Sequence, residues 1–181
     1  MTTLSAILAT PPLTSGGRTL ARVEMARQVL GAERSIVANL YDVPTRDIGE
    51  LATKGHDPAQ WRRSRTALKQ AVDLADVVML AYGVSRPPAP VRSYHDEQVE
   101  WLNELFDRRS VPVLMVGGRP RHPSRWQRWT SRAHPGRPFR EALTLELWAG
   151  LETKPLLLQD VESAISQRAT EPITFLNPQR P

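Results

Sequence analysis

Four short apolar runs, LSAILA at 4–9, SIVANL at 35–40, DVVMLA at 76–81 and VPVLMV at 111–116, alternate with stretches of helical periodicity. Each run has strand length. Three are almost unbroken, as strands covered on both faces tend to be. Between the first two, Leu20, Val23, Met25, Ala26, Val29 and Leu30 recur at helical spacing and stop at Gly31, a natural helix end. Asp57 followed by Pro58 reads as a cap and first helical position, opening a helix that gathers Trp61, Leu68, Ala71, Val72 and Ala75 on one side. Residues 93–106 read as a third helix, with Val99, Leu102, Leu105 and Phe106 inward.

The order β-α-β-α-β-α-β predicts a three-layer α/β/α fold around a central four-stranded, mostly parallel sheet with right-handed crossovers. Residues 1–150 are expected to form this domain, with its site at the carboxyl ends of the strands. Residues 139–148 look helical. Residues 151–181 are expected to be a C-terminal extension packed on the domain. Within it, 155–158 read as a fifth strand or a helix end, 161–168 as a short helix, and 171–181 as coil.

Composition narrows the chemistry. The 181 residues carry a formal charge of +5 and no cysteine, which excludes disulfides, thiolate catalysis and cysteine-ligated zinc. Lysine occurs only at Lys54, Lys69 and Lys154, so the positive charge is almost wholly arginine. Arginine suits planar, two-point contacts to phosphate or carboxylate; a GC-rich genome would give the same bias without any function. Residues 108–140 hold nine arginines and no acidic residue, pointing to an anionic ligand. No run is long enough to span a membrane, and the amino terminus lacks a signal-peptide pattern, so a cytoplasmic protein is expected. His56, His95 and His134 lack metal-ligand spacing. No metal and no cofactor are expected.

In a parallel sheet the loops after the strands gather at one edge, where α/β proteins bind ligands. Those loops are TPPLTSGG at 10–17, YDVPTR at 41–46, YGVSR at 82–86 and GGRPRHPS at 117–124. Thr14, Ser15, Gly16 and Gly17 precede a helix beginning near Arg18, whose free N–H groups attract anions; a plain cap by Thr14 or Ser15 is the alternative. Asn39 interrupts an apolar strand and must either satisfy a neighbouring loop or face a ligand such as a nucleobase edge. His122, among arginines that should depress its pKa, could donate to a developing oxyanion, or be a surface residue. Tyr41, Tyr82, Gly83, Arg119, Arg121 and Ser124 complete the expected binding set. Asp42 and Asp47 are the only carboxylates near this edge in the first half of the chain. Asp42 is the candidate acid–base residue. The Trp126/Trp129 stretch with Arg125, Arg128 and Arg132 suits single-stranded nucleic acid, or an irregular lid whose tryptophans close over the core.

The span from Leu13 to about Trp126 resembles the family of unknown function numbered 1643. The resemblance rests on the Thr/Ser-rich loop before the first helix, VANL at 37–40, AYG at 81–83 and GRPRHP at 118–123. The chain departs from that family in its first loop, where an Asn-Pro-Ser-Thr-like segment is expected. The layout is also similar, more weakly, to the uracil-DNA glycosylase superfamily. That likeness implies a base-reading role for Asn39 and a base-stabilising role for His122 in its His-Pro-Ser loop. Those enzymes usually carry an acidic or amide residue in the first loop, and residues 10–17 contain neither.

Three functions compete. The first is an enzyme acting on a nucleobase or nucleotide, a glycosylase-like hydrolase cleaving an N-glycosidic bond. The second is a noncatalytic nucleotide or nucleic-acid binding module. The third is a small-molecule biosynthetic enzyme that takes an anionic metabolite. Nucleotide or nucleic acid is the expected partner.

Overall fold

The computed structural model describes residues 2–152; the expectations for residues beyond 152 lie outside the described residues. The chain forms β1 (Thr3–Leu8), α1 (Gly17–Val29), β2 (Arg34–Asn39), α2 (Ile48–Lys54), α3 (Pro58–Asp73), β3 (Val77–Leu80), α4 (Val91–Arg109), β4 (Val113–Leu114), a 3-10 turn (Val116–Gly118), α5 (Pro123–Ala133) and α6 (Phe139–Glu152). All strand pairs are parallel, in the order β2-β1-β3-β4. This is the three-layer α/β/α sandwich that the alternation of runs predicts.

Every residue of β1 is buried, as the middle of a sheet covered on both faces requires. Its side chains alternate between two cores. Leu4 and Leu8 join Ala26 of α1, Trp126 of α5 and Leu143 and Leu147 of α6. Ile7 joins Leu68 and Val72 of α3 and Leu102 and Phe106 of α4. Of the two polar residues on that second face, Ser5 donates to the Ala71 carbonyl at 2.7 Å and the Thr3 hydroxyl accepts from Arg34 Nε at 2.8 Å.

Two helices were not legible as such. Helix α2 opens at Asp47, whose side chain accepts the Glu50 N–H at 2.9 Å, while Glu50 accepts the Arg46 N–H at 2.6 Å. Helix α5 replaces the irregular lid: His122 caps it, Pro123 takes its first position, and Pro123, Trp126 and Thr130 form its buried side. Strand β4 is only two residues long. After it the chain turns through Gly117 at φ +62°, a left-handed conformation that favours glycine.

Helix α1 returns the chain to β2 on one side of β1, and α3 carries it to β3 on the other. The strand order therefore reverses between β1 and β3, the place where open α/β sheets form a ligand crevice.

Candidate functional site

A cavity of about 930 Å³ lies at that reversal, lined by residues 8–19 after β1, 45–48 before and within α2, 82–85 after β3, and Arg121, His122, Ser124 and Arg125 around the start of α5. Hydrogen bonds hold these loops together in pairs. The hydroxyls of Thr10 and Thr45 meet at 2.9 Å. The Gly83 N–H donates to the Pro120 carbonyl at 2.5 Å. Arg22 of α1 donates to the Pro123 carbonyl at 2.8 Å.

Of the residues expected from sequence, Thr14, Ser15, Gly16, Gly17, Arg18, Tyr82, Gly83, Arg121, His122 and Ser124 line this cavity. Neither Thr14 nor Ser15 caps α1. Its cap position is Gly16, at φ +64°, with no side-chain hydrogen bond to the first turn. The amino end of α1 therefore faces the cavity with its N–H groups free of side-chain acceptors, an arrangement that favours anions.

Four expected residues lie elsewhere. Arg119 lines a second cavity of about 600 Å³ on the α4 side, which shares Tyr82, Gly83, Val84 and Ser85 with the first. Tyr41 is buried beneath Trp61, ring centres 4.9 Å apart, and its hydroxyl is engaged by the Lys54 carbonyl at 2.8 Å. Asp42 is exposed, with Arg63 4.0 Å away. Asn39 is half-buried and outside the lining. The reason is shared by three of them: the Leu40 and Tyr41 N–H groups still bond to the Leu8 and Ala9 carbonyls. The chain thus stays strand-like past Asn39, and the second loop reaches the cavity only at Thr45. Asn39 nevertheless pairs in register with Leu8, which lines the cavity. The Asn39 Oδ1 is closed to solvent and has no hydrogen-bond partner among the described residues.

His122 is placed by two contacts. Its Nδ1 accepts the Ser124 N–H at 3.2 Å and lies 2.9 Å from the Ser124 hydroxyl. Accepting at Nδ1 leaves the proton of the neutral ring on Nε2. Burial lowers the His122 pKa, and the charges of Arg125 and Arg22 lower it further. The ring is therefore a neutral donor near pH 7. The like-charge repulsion anticipated from sequence is present, but desolvation is the larger cause.

The cavity's cations are Arg18, Arg46, Arg121 and Arg125; none forms a salt bridge among the described residues. Among the described residues Asp47 is the only carboxylate on the lining, and it is engaged in capping α2. Sequence reasoning missed Arg46 and Arg125 as lining residues. The Asp-Ile-Gly-Glu cap at 47–50 and the His-Pro helix start at 122–123 are the signals that would have placed them. No described group of three or more His, Asp or Glu residues is arranged to hold a metal. No helix among the described residues is long and apolar enough to cross a membrane.

The fold and site define a doubly wound α/β protein with a basic cavity at its topological switch point. The chain belongs to the family described as "Protein of unknown function (DUF1643)", which it matches over residues 14–124. No curated protein and no solved structure matches it.

Proposed function

We propose that the cavity takes a nucleotide-class ligand and that the protein cleaves an N-glycosidic bond in it, within a uracil-DNA-glycosylase-like arrangement. The observation that carries this reading is His122, a neutral imidazole with Nε2–H available on the wall of an arginine-lined cavity. When the bond from C1′ to the base breaks, its electron pair stays with the base and charge gathers on a carbonyl oxygen. A fixed neutral donor meets that charge without giving up a proton. Water adds at C1′ and its proton passes to solvent. The cavity arginines and the open end of α1 would hold phosphate. The orphan Oδ1 of Asn39 lies behind the lining, paired in register with Leu8, and would accept an N–H from the edge of the base only once the loop after β1 moves aside.

The test is release of free base from labelled single- and double-stranded DNA and from free nucleosides and nucleotides. Expected is release that His122→Ala and Asn39→Ala each lower by about 100-fold or more while the fold persists. Turnover unchanged in both variants would remove the proposal.

A second reading, a binding module without turnover, draws on Asp47. The sole carboxylate on the lining among the described residues commits its Oδ1 to capping α2, which leaves only its other oxygen to activate water. It predicts binding that weakens steeply with salt and yields no product.

A further inference from the structure

Arg121 differs from the other arginines of the cavity because its charge is fixed in position. Its N–H donates to the Arg119 carbonyl at 2.6 Å, and its own carbonyl accepts the indole N–H of the buried Trp126 at 2.7 Å. Its guanidinium carbon lies 3.8 Å from the centre of the Trp129 ring, a face-on stack. Trp129 is held in turn. Its indole N–H faces Glu146 Oε2 at 3.4 Å, the same oxygen that accepts the Gly117 N–H at 2.9 Å. A β-carbon at Gly117 would overlap the Trp129 ring, so the absence of a side chain there makes room for the indole. The other Glu146 oxygen meets His134 Nε2 at 2.9 Å. Strand β4's exit, α5 and α6 thus converge on the surface against which Arg121 lies. Arg18, Arg46 and Arg125 are exposed and have no comparable support among the described residues.

The Arg121 Nε–H is closed to solvent and meets no acceptor among the described residues. With one face on an indole, a guanidinium is approached at its edge. The edge formed by Nε and the neighbouring Nη offers two parallel donors, the pattern that matches two oxygens of one phosphate or carboxylate. The side chain as a whole is only partly buried and lines the cavity, so such oxygens can arrive at the Nη side and close over Nε.

We propose that Arg121 is the anion anchor of the cavity, taking two oxygens of one phosphate or carboxylate group at its Nε edge, with Trp129 and Glu146 as positioning residues. This rests on reading the cavity as a ligand site, and it specifies the wall that holds the ligand's charge.

The test is an NMR titration of the native protein that follows the arginine Nε–H signals, with the Arg121 signal assigned by its loss in Arg121→Lys. Phosphate and acetate are added separately at constant ionic strength set with chloride. Expected is a saturable shift of the Arg121 signal with at least one of the two, and which anion produces it identifies the oxyanion class. Arg121→Lys keeps the charge but loses the two-point edge, so affinity for that anion, followed in this variant by the backbone N–H signals of the cavity loops, should fall about tenfold. Arg125→Lys should change it by less than about twofold. Trp129→Phe keeps a ring beneath the guanidinium and should retain most of the affinity, whereas Trp129→Leu should fall to the level of Arg121→Lys. Glu146→Gln should broaden or move the Arg121 signal before any anion is added.

A signal that neither anion moves, or full affinity in Arg121→Lys, overturns the anchor. Base release alongside an unmoved signal overturns the anchor alone. A saturable shift without base release from any substrate upholds the anchor and removes the glycosidic reading.

Discussion

Ser124 donates its backbone N–H to His122 Nδ1 across 3.2 Å, so the hydrogen bond that starts α5 also decides which nitrogen of the neutral ring carries the proton. Helix stability and site chemistry share one side chain. Two substitutions separate them. His122→Ala should cost about 1 kcal/mol of stability as the cap is lost. His122→Asn keeps an oxygen for the cap and should stay within about 0.5 kcal/mol of the native protein. Both should lower base release by about 100-fold or more, the usual consequence of removing one donor to a developing anion. Urea unfolding alongside the base-release assay checks both halves; activity near native in either variant would refute the donor role.

Acid should destabilise the fold through two histidines. His95 and His122 both titrate below their ordinary value, His95 because burial outweighs the help of Asp96, and His122 because burial is joined by Arg125 and Arg22. The unfolded chain takes up these protons near the usual pH of about 6.5 and the folded chain only lower. Stability is therefore fullest above that pH, falls as pH drops through the window between the two values, and levels off below it. Urea midpoints at several pH values should show this slope, and His95→Gln should flatten it. A slope that His95→Gln leaves unchanged assigns the effect to other groups.

Gly117→Ala tests the packing behind the cavity. The new methyl would meet the Trp129 indole, and the left-handed backbone disfavours a side chain in any case. Together these should cost roughly 2–4 kcal/mol. Chemical denaturation gives the loss, and near-ultraviolet dichroism should report a displaced indole. A loss below about 0.5 kcal/mol, within the range of an ordinary surface change, would mean that Trp129 is free to move.

Asp47 lines the cavity yet is committed to α2. Asp47→Ser retains a cap oxygen and should leave both stability and base release unchanged, whereas Asp47→Ala should cost about 1 kcal/mol. Loss of base release in a well-folded Asp47→Ser protein would make this carboxylate the general base and reopen the mechanism.

The sheet was legible because its strands are covered on both faces and so write themselves as near-continuous apolar runs. The helix starts at Arg18 and Pro58 fall within a residue of their observed positions, where glycine or an Asp-Pro pair marks the boundary. Helix α4 was shortened by two residues at its start and three at its end, since nothing in Val91-Arg92 or Asp107-Arg108-Arg109 signals an edge. Helix α5 was obscured by its flanks: Pro120, Pro123, Gly136 and Pro138 mark the stretch as loop, although Pro123, Trp126 and Thr130 recur at helical spacing on its buried side, with Arg125, Arg128 and Arg132 outward. At the site, loop membership was readable from sequence, but strand length was not. Two further ladder bonds beyond Asn39 carried Tyr41 into the core and Asp42 to the surface, and brought Thr45 and Arg46 to the cavity instead.

The family match spans residues 14–124, whereas β1, at Thr3–Leu8, stands between β2 and β3. Trp126, Leu143 and Leu147, beyond the other limit, fill one of the two cores. A polypeptide trimmed to the recognisable signature would leave its second and third strands without a shared neighbour. What is inherited as a readable motif is smaller here than what must cooperate to fold, and boundaries for producing a stable fragment should follow the sheet.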